Sequence, residues 1–284
     1  MKTVQLFANA KINLFLDIES RRNDGYHNIL SLMQSVDLHD VVTLSYAPAD
    51  DKKFEIKTNN PAIPSDQRNI AYKAAERLVD SGHIVIEIEK NIPSPAGLAG
   101  GSADAAAVIY GLCLLGACKK NDSEILQIAA KIGADVPFCL VGGTKKISGI
   151  GDIIEDVSPI EQLNLVVAVT GEGVSTPVAY SMLDKQYNDF VGHTVKEFNF
   201  ESFSENDVYN IFEEAILSVR DGAASLYSKM KTLGASTVFM SGSGPSIVGI
   251  FKTYDEAENA AKCLSSSGIF AKACRTVEKG IEEK

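Results

Sequence analysis

The stretch from Pro93 to Ala107 reads PSPAGLAGGSADAAA and joins two segments whose apolar residues follow different patterns. Before it, isoleucines at 84, 86 and 88 alternate with other residues, as in a strand. After it, the small and apolar run that begins at Ser102 predicts a helix. Loop glycines let a ligand approach the backbone, and the first N–H groups of a helix are unpaired, so this order indicates an anion site. An ordinary glycine turn, with Ser102 capping the helix and Asp104 against its dipole, remains the alternative.

Two common phosphate-binding motifs do not fit this loop. A P-loop requires Gly-Lys-Ser/Thr at its end, whereas Gly101 is followed directly by Ser102. A dinucleotide-binding fingerprint requires G-x-G-x-x-G, which the residues from Gly97 to Gly101 do not match. The loop therefore belongs to a third type.

Composition bounds the class of protein. The chain has 284 residues, 45% of them hydrophobic, which fits one large or two ordinary domains. Its net charge of −10 argues against a nucleic-acid partner, because phosphate binding needs a basic surface. Five cysteines without a C-x-x-C pair predict reduced, mostly buried thiols in a cytoplasmic protein. The sequence suggests neither a metal cluster, a signal peptide nor a membrane span.

The N-terminal segment predicts a strand and a turn. From Val4 to Ile18 apolar residues recur with a period of two, so Lys11 and Asn13 are expected on the polar face, away from the buried one. A solvated face would explain both residues without a function. The turn at residues 21–25 leads directly into Tyr26 and His27, where a loop could carry function.

The pattern Pro-x-x-x-Gly-Leu-x-Gly-Gly-Ser resembles the ATP-binding motif of the GHMP kinases, which include galactokinase, homoserine kinase and mevalonate kinase. Two residues depart from that motif: Ala99 stands where glycine is frequent, and Ala103 where serine is common. Alanine adopts positive φ less readily than glycine, so we expect an ordinary negative φ at Ala99.

Three further stretches resemble one branch of this superfamily, the kinases of 4-diphosphocytidyl-2-C-methyl-D-erythritol in the non-mevalonate isoprenoid pathway. They are Ala10–Leu16, Arg22–His27 and Gln34–Asp40. The segment Gly133–Phe138, Gly-Ala-Asp-Val-Pro-Phe, also follows the family pattern. Taken alone, Asp135 within it could equally cap a helix or pair with an arginine. The residues around Lys145 and Lys146 depart from the small residues usual in the family.

The resemblance implies a full set of site residues. Catalysis would depend on Lys11 and Asp135. The implied ATP-binding residues are Asn69, Lys90, Pro93, Ser94, Pro95, Ala96, Gly97, Leu98, Ala99, Gly100, Gly101, Ser102 and Ala103. The implied substrate-binding residues are Asn13, Tyr26, His27, Thr176 and Tyr180, with the two tyrosine rings on either side of the cytosine. Taken alone, Lys90 could be a surface lysine.

The implied reaction is the transfer of a phosphoryl group from ATP with Mg²⁺ to the 2-hydroxyl of a small molecule that carries a cytidine diphosphate group. Asp135 would accept the hydroxyl proton, and Lys11 would keep Asp135 charged. Water and phosphate would supply most magnesium ligands, because the chain offers no cage of acids. Two alternatives remain: another GHMP kinase, of mevalonate or homoserine type, or a non-catalytic nucleotide-binding regulator. The protein would be a monomer or a homodimer, without a membrane or nucleic-acid partner.

The resemblance also implies an α+β fold of two domains. Residues 1–155 would form an N-terminal domain like domain 2 of ribosomal protein S5, and 156–284 a ferredoxin-like α/β sandwich. The boundary is expected near Asp152–Gln162, and Tyr187–Glu205 is expected to be a loop without clear function. The third motif of the family, Ser241–Ser246, would form a glycine turn between two strands that supports the phosphate loop. The other predicted segments are strands at 41–44, 54–57, 163–169 and 270–277, helices at 69–79, 123–132, 207–220, 223–233 and 254–264, a helix that begins with Ser175–Pro177, and a loop at 170–173.

Overall fold

The computed structural model describes residues 1–171 and 174–284. In the first half the elements are β1 (Lys2–Arg21), β2 (His27–Ala47), β3 (Lys52–Thr58), α1 (Ile70–Leu78), β4 (Gly82–Glu89), α2 (Gly100–Leu114), α3 (Asp122–Ile132), α4 (Val136–Val141), β5 (Thr144–Ser148) and β6 (Ile153–Asp156). In the second half they are β7 (Asn164–Val169), α5 (Thr176–Gln186), β8 (Tyr209–Asn210), α6 (Phe212–Leu217), α7 (Asp221–Thr232), β9 (Thr237–Met240), β10 (Ile247–Phe251), α8 (Tyr254–Ser265), β11 (Phe270–Arg275) and β12 (Ile281–Glu283). Short 3₁₀ turns lie at Asn188–Phe190 and Glu205–Asp207.

The first sheet is built on a long hairpin. β1 and β2 pair antiparallel from Lys2 opposite Tyr46 to Arg21 opposite His27, and the predicted turn forms the tip, where Gly25 has a φ of 87°. β12, β1, β2, β4 and β3 follow each other across the sheet, and β5 and β6 extend it beside β2. This arrangement places Tyr26 and His27 at one end of the hairpin.

Helix α2 is the central helix of the N-terminal half. It packs on β1, β2, α1 and α4, and its residues from Ala103 to Ile109 are buried. A helix that is apolar around its whole circumference belongs in the interior. A Cβ at Gly111 would lie 2.7 Å from Leu44, so this glycine allows the close approach of helix and sheet. The C-terminal part of α2 thereby packs closely against the β1–β2 hairpin.

The second sheet has the strand order β11-β7-β10-β9, with antiparallel pairing throughout. Along the chain the strands alternate with α7 and α8 in a β-α-β-β-α-β pattern, which is the ferredoxin-like arrangement. The predicted mixture of helices and strands is therefore confirmed.

Two strands from the C-terminal half join the first sheet beside β1. β8 pairs parallel with Phe15 and Leu16, and β12 pairs with Leu6 to Ala8 on the first sheet. The connection between β6 and β7, residues 157–163, lies where the boundary was expected. Since β12 returns to the first sheet, a division at residue 155 does not separate all pairing, and the domain limits stay a prediction.

The alternative explanation, that Lys11 and Asn13 lie on a solvated face, is wrong. Both side chains are buried, because the C-terminal half covers the second face of β1. Beside Phe15, for example, pack Phe198 and Tyr209, with ring centroids 4.5 Å and 5.8 Å away. A period of two identifies the strand but cannot show that another part of the chain covers its polar face.

The predicted helix at 207–220 is also wrong in its first part. Tyr209 and Asn210 form β8, and the helix begins only at Phe212. The Asn210 side chain donates to the carbonyl oxygens of Met240 and Gly242 at 2.7 and 2.8 Å and accepts from the N–H of Phe212. These contacts across the chain fix an extended segment that local sequence does not indicate.

All five cysteines are free thiols, but only Cys139 and Cys274 are buried. The predicted loop at 170–173 includes Glu172 and Gly173, which lie outside the described residues. Within residues 1–171 and 174–284, no helix has the length and apolar character needed to cross a bilayer.

Candidate active site

The glycine loop ends in a helix N-terminus without a side-chain cap. α2 begins at Gly100, two residues before Ser102, and among the described residues no side chain caps it. The first bond of the helix runs from the N–H of Ala103 to the carbonyl oxygen of Ala99, at 2.9 Å. The N–H groups of Gly100, Gly101 and Ser102 therefore precede the helical ladder and are available to an anion. The interpretation of Ser102 as the cap is wrong.

The expected negative φ at Ala99 is wrong as well. Ala99 lies in the left-handed region, with φ 57° and ψ 29°. Its neighbour Leu98 is buried and accepts from the N–H of Lys11 at 3.1 Å. Because this contact fixes Leu98 on β1 and the helix begins at Gly100, the change of direction into the helix falls on Ala99. The left-handed conformation costs an alanine roughly 1–2 kcal/mol relative to the right-handed one.

A stability measurement tests this strain. Ala99→Gly is expected to raise the free energy of unfolding by up to about 1 kcal/mol, because glycine adopts positive φ without a steric penalty. Urea denaturation of both proteins would measure the difference. Ala103→Gly, inside the same helix, serves as the control and should be destabilised by roughly 1 kcal/mol. A loss of stability in Ala99→Gly would contradict the account of strain.

The turn at Ser241–Ser246 packs against the glycine loop. Ser241 Oγ donates to the carbonyl oxygen of Gly97 at 3.2 Å, and Ser246 Oγ donates to that of Ala96. A Cβ at Gly97 would lie 2.3 Å from the backbone oxygen of Ser241, and Gly97 has a φ of 73°. Only glycine fits at this position. The packing of the third motif against the loop is as expected.

Lys11 and Asp135 meet beside the N-terminus of α2. Their nearest side-chain atoms, Nζ and Oδ2, are 3.9 Å apart, and the exposed fractions of the two side chains are 6% and 32%. Lys11 Nζ also donates to Asn13 Oδ1 at 2.7 Å. Asp135 directly precedes α4, but its carboxylate makes no capping bond. The carboxylate is therefore accessible, and a buried cation stands next to it.

Lys90 lies in a buried cluster instead of on the cavity wall. Its Nζ donates to Asp104 Oδ2 at 2.6 Å and to Asp40, and its side chain is 3% exposed. Burial lowers the pKa of Lys90, but the charges of Asp104 and Asp40 outweigh this and leave the pKa raised. Asp40 also accepts from the backbone N–H groups of Asn91 and Ile92. The cluster thus fixes the chain just before the glycine loop, and an ATP contact by the ammonium would require it to open.

Asn69 caps α1. Its side chain accepts from the N–H of Ala71 at 2.9 Å and donates to the carbonyl oxygen of Pro64. Of the residues implied by the resemblance, Asn69, Lys90, Leu98 and Ala103 do not line the cavity described below.

Aromatic residues and an ion-pair network form the other end of the site. The Tyr180 ring stacks on the His27 imidazole, with centroids 4.6 Å apart. His27 Nε2 lies 2.6 Å from Asp184 Oδ1, and Arg21 Nε lies 3.6 Å from the other carboxylate oxygen. Tyr26 is 61% exposed. A sandwich of Tyr26 and Tyr180 around a base stays a prediction; in this structure His27 lies against the Tyr180 ring.

The hydroxyl of Tyr180 stays protonated at neutral pH. Burial, followed by the charge of Asp135, raises the pKa of Tyr180 to about 12. The residue therefore offers a neutral ring close to the Asp135 carboxylate.

One cavity of about 770 Å³ joins the two ends. The residues expected from the sequence that line it are Lys11, Asn13, Tyr26, His27, Pro93, Ser94, Pro95, Ala96, Gly97, Ala99, Gly100, Gly101, Ser102, Asp135, Thr176 and Tyr180. This volume suits a small molecule of the size of a nucleotide conjugate.

Sequence reasoning missed other lining residues, including Arg21, Asp184, Phe212 and Ser243. For Asp184 a signal was available: Thr176, Tyr180 and Asp184 recur every four residues on α5 and so share one helical face. Ser243 approaches Thr176, with their hydroxyl oxygens 3.2 Å apart. For Arg21 and Phe212 the sequence holds no comparable pattern.

Comparison with known proteins gives a consistent result. Residues 69–143 match the family model of the GHMP kinases N terminal domain, and residues 195–269 match that of the GHMP kinases C terminal domain. A 4-diphosphocytidyl-2-C-methyl-D-erythritol kinase of Clostridium tetani is 40% identical over 274 residues, 93% of this chain and 96% of that protein. An enzyme of the same name from Acetivibrio thermocellus is 37% identical over 95% of each chain.

Solved structures agree on the fold. A crystal structure of a 4-(cytidine 5'-diphospho)-2C-methyl-D-erythritol kinase has a TM-score of 0.80 at 29% identity, with 96% of this chain and 98% of that chain covered. A homoserine kinase of Cytophaga hutchinsonii has a TM-score of 0.70 at 20% identity, with 100% and 98% of the two chains covered. At that identity the second likeness concerns the fold alone.

Proposed function

Because the chain belongs to the 4-diphosphocytidyl-2-C-methyl-D-erythritol kinases within the GHMP kinase family, we propose that it phosphorylates the 2-hydroxyl of that compound with ATP, in the non-mevalonate pathway of isoprenoid biosynthesis. One observation carries the proposal. A single cavity contains an uncapped helix N-terminus, the Lys11–Asp135 pair and the aromatic end around Tyr26 and His27. Phosphate, reacting hydroxyl and base thus each have a chemically suitable part of one site.

The triphosphate of ATP would lie against the loop at 93–99 and the N-terminus of α2. Three free N–H groups and the positive end of the helix dipole attract phosphate oxygens there. Among the residues that the structure describes, no three acidic, imidazole or thiol groups are placed to hold a metal. Ser102 lines the cavity at the N-terminus of α2 and fits a Mg²⁺ that would take its other ligands from phosphate and water. The bound ion would offset phosphate charge.

Asp135 is the proton acceptor in this proposal. As the 2-hydroxyl oxygen bonds to the γ-phosphorus, the bond to the bridging oxygen of ADP breaks, and the hydroxyl proton moves to the Asp135 carboxylate. Lys11 remains protonated and stabilises the negative charge that develops near the hydroxyl. Asn13, which accepts from Lys11, fixes the direction of the ammonium. Positioning and electrostatics dominate phosphoryl transfer, so these few groups suffice.

The aromatic end would bind the cytosine. A base stacked on an aromatic ring gains about 1–3 kcal/mol. Tyr26 is the most exposed ring in the cavity and therefore the best placed to receive a base by stacking. A small aliphatic alcohol needs no such platform, which disfavours a mevalonate or homoserine type of kinase. A regulator without catalysis would not need Lys11 beside Asp135.

Removal of the Tyr26 ring tests this assignment. Tyr26→Ala is expected to raise KM for the cytidyl substrate by roughly 5- to 100-fold, in line with the loss of one stacked ring, and to change kcat little. Tyr26→Phe keeps the ring and should behave like the wild type. Steady-state kinetics with each variant would decide. An unchanged KM in Tyr26→Ala would remove Tyr26 from base binding.

The activity itself is tested by coupled ADP release from Mg-ATP. The cytidyl compound, mevalonate and homoserine are offered separately. The proposal expects turnover with the cytidyl compound alone. Turnover with a small alcohol would retain the kinase and reject the base site, whereas ATP binding without any turnover would favour the regulator. A cytoplasmic location and a monomeric or homodimeric state stay predictions.

A further inference from the structure

Asp184 approaches His27 from the side of α5. The distance between Asp184 Oδ1 and His27 Nε2 is 2.6 Å, and the two side chains are 17% and 6% exposed. Both residues line the cavity beside Tyr26. A short hydrogen bond with so little water around it fixes the direction of the imidazole strongly.

This contact decides which ring nitrogen carries a proton. An ionised carboxylate only accepts hydrogen bonds, so Nε2 must be the donor. In a neutral imidazole the other nitrogen, Nδ1, then has a lone pair and is an acceptor. Among the described residues no group hydrogen-bonds Nδ1. The only free ring nitrogen of His27 is thus available to a ligand in the cavity.

Arg21 and two aromatic rings pack around the His27–Asp184 pair. Arg21 Nε lies 3.6 Å from Asp184 Oδ2, and its Nη1 also contacts Asp189. Arg21 therefore offsets the charge of Asp184. Two rings also pack against His27: Tyr180 stacks on it, and Phe190 meets it edge-on at a centroid distance of 5.7 Å. Two rings and one carboxylate thus hold the imidazole in place.

We propose that Asp184 is a specificity-determining residue, which holds His27 in the Nε2–H tautomer so that Nδ1 accepts a hydrogen bond from the 4-amino group of cytosine. The inference rests on the proposed function. Cytosine presents an amino donor at its 4-position, where uracil presents a carbonyl acceptor. A lone pair on Nδ1 attracts the amino group of cytosine and repels the carbonyl oxygen of uracil. Asp184 therefore acts through His27, as a positioning residue.

Kinetics with two bases measure this role. The cytidyl substrate and its diphosphouridyl analogue are compared by kcat/KM in the wild type and in Asp184→Ala. Without the carboxylate, the imidazole can exchange tautomers and present a donor. We expect the ratio of kcat/KM for the cytidyl substrate to kcat/KM for the uridyl analogue to fall on the order of 10- to 100-fold. This is the range for loss of one matched buried hydrogen bond. The change should appear mainly in KM for the cytidyl substrate, with kcat largely retained.

Lys185→Ala is the matched control, because it also removes one charge from α5 but at an exposed position. Its cytidyl-to-uridyl ratio should equal that of the wild type. If Asp184→Ala turns over the cytidyl substrate with an unchanged ratio, the inference is overturned while the proposed function stands. If the wild type itself uses neither substrate, the proposed function fails, and cytosine recognition by His27 fails with it.

A second measurement does not depend on activity. ¹⁵N NMR of the imidazoles in the wild-type protein separates the two neutral tautomers and the protonated form. The chain has four histidines, and the His27 signals are those absent from His27→Gln. We expect a proton on Nε2, which contacts Asp184, and none on Nδ1. A proton on Nδ1, in either the other tautomer or the charged form, would overturn the inference whatever the kinetics.

Discussion

Asp135→Asn is expected to lower kcat by roughly 10²- to 10⁴-fold, the usual contribution of a general base. The amide has nearly the same shape as the carboxylate but cannot accept the hydroxyl proton. Because Asp135 makes no capping bond and its side chain is about one-third exposed, the substitution should not disturb the fold. Coupled ADP release would measure kcat, and equilibrium dialysis with ATP would measure nucleotide binding. The ATP affinity should stay close to that of the wild type.

Asp80→Asn provides the control for this variant, because it makes the same change at an exposed position at the C-terminal end of α1. Its kcat should equal that of the wild type. Turnover at the wild-type rate in Asp135→Asn would remove the carboxylate from the mechanism. Loss of ATP binding in that variant would instead assign Asp135 to the nucleotide site.

Lys11→Met should lower kcat by roughly 10²- to 10³-fold, comparable to the loss of one electrostatic donor in other enzymes. Methionine has a similar length but carries no charge, so the charge that develops at the reacting hydroxyl loses its nearest cation. Asn13 Oδ1 also loses the Lys11 donor that lies 2.7 Å away, which lowers the free energy of unfolding by about 1–3 kcal/mol. Thermal unfolding and kcat measured together separate the two effects.

Lys11→Arg distinguishes charge from fit. It keeps the positive charge in a larger, planar head group, and we expect part of the activity to return. If Lys11→Met is folded, binds ATP and turns over at the wild-type rate, the ammonium has no catalytic role. If Lys11→Arg is as slow as Lys11→Met, the position of the charge matters more than its presence.

Local signals were sufficient for several elements. Helix α3 begins after Asn121, which accepts from the N–H of Glu124 in a capping box, and it ends at Gly133. The sequence predicted this helix at 123–132, within one residue of the observed Asp122–Ile132, because the groups that satisfy a helix end lie within four residues of it. The order of strand, glycine loop and α2 was predictable for the same reason.

Contacts between distant segments were not predictable. Lys90 pairs with Asp40, fifty residues earlier in the chain, and with Asp104, fourteen residues later. No spacing rule connects these three residues. In the same way, the positive φ of Ala99 depends on the attachment of Leu98 to β1, which the loop sequence does not show.

The sequence predicted the parts of the site that lie in contiguous motifs. It missed parts that form only where helices and domains meet. Family motifs placed Lys11 and Asp135 together, and their 3.9 Å separation agrees with the expected pairing. Asp184 was missed although it stands four residues after Tyr180, because one acid on a polar helix usually faces water. Its contact with His27 arises only when α5 packs beside the β1–β2 hairpin.

The most direct test of the central claim is ³¹P NMR of the product formed from ATP and the cytidyl substrate. Carbon 2 of the methylerythritol carries a methyl group and no hydrogen, so a phosphate on its oxygen has no proton three bonds away. The account predicts one new phosphomonoester signal that is a singlet in the proton-coupled spectrum, together with signals of ADP. A signal split by neighbouring protons would place the phosphate on another hydroxyl, and ADP with free phosphate alone would mean that water is the acceptor. Either result would contradict the proposed arrangement of Asp135 and Lys11 around the 2-hydroxyl.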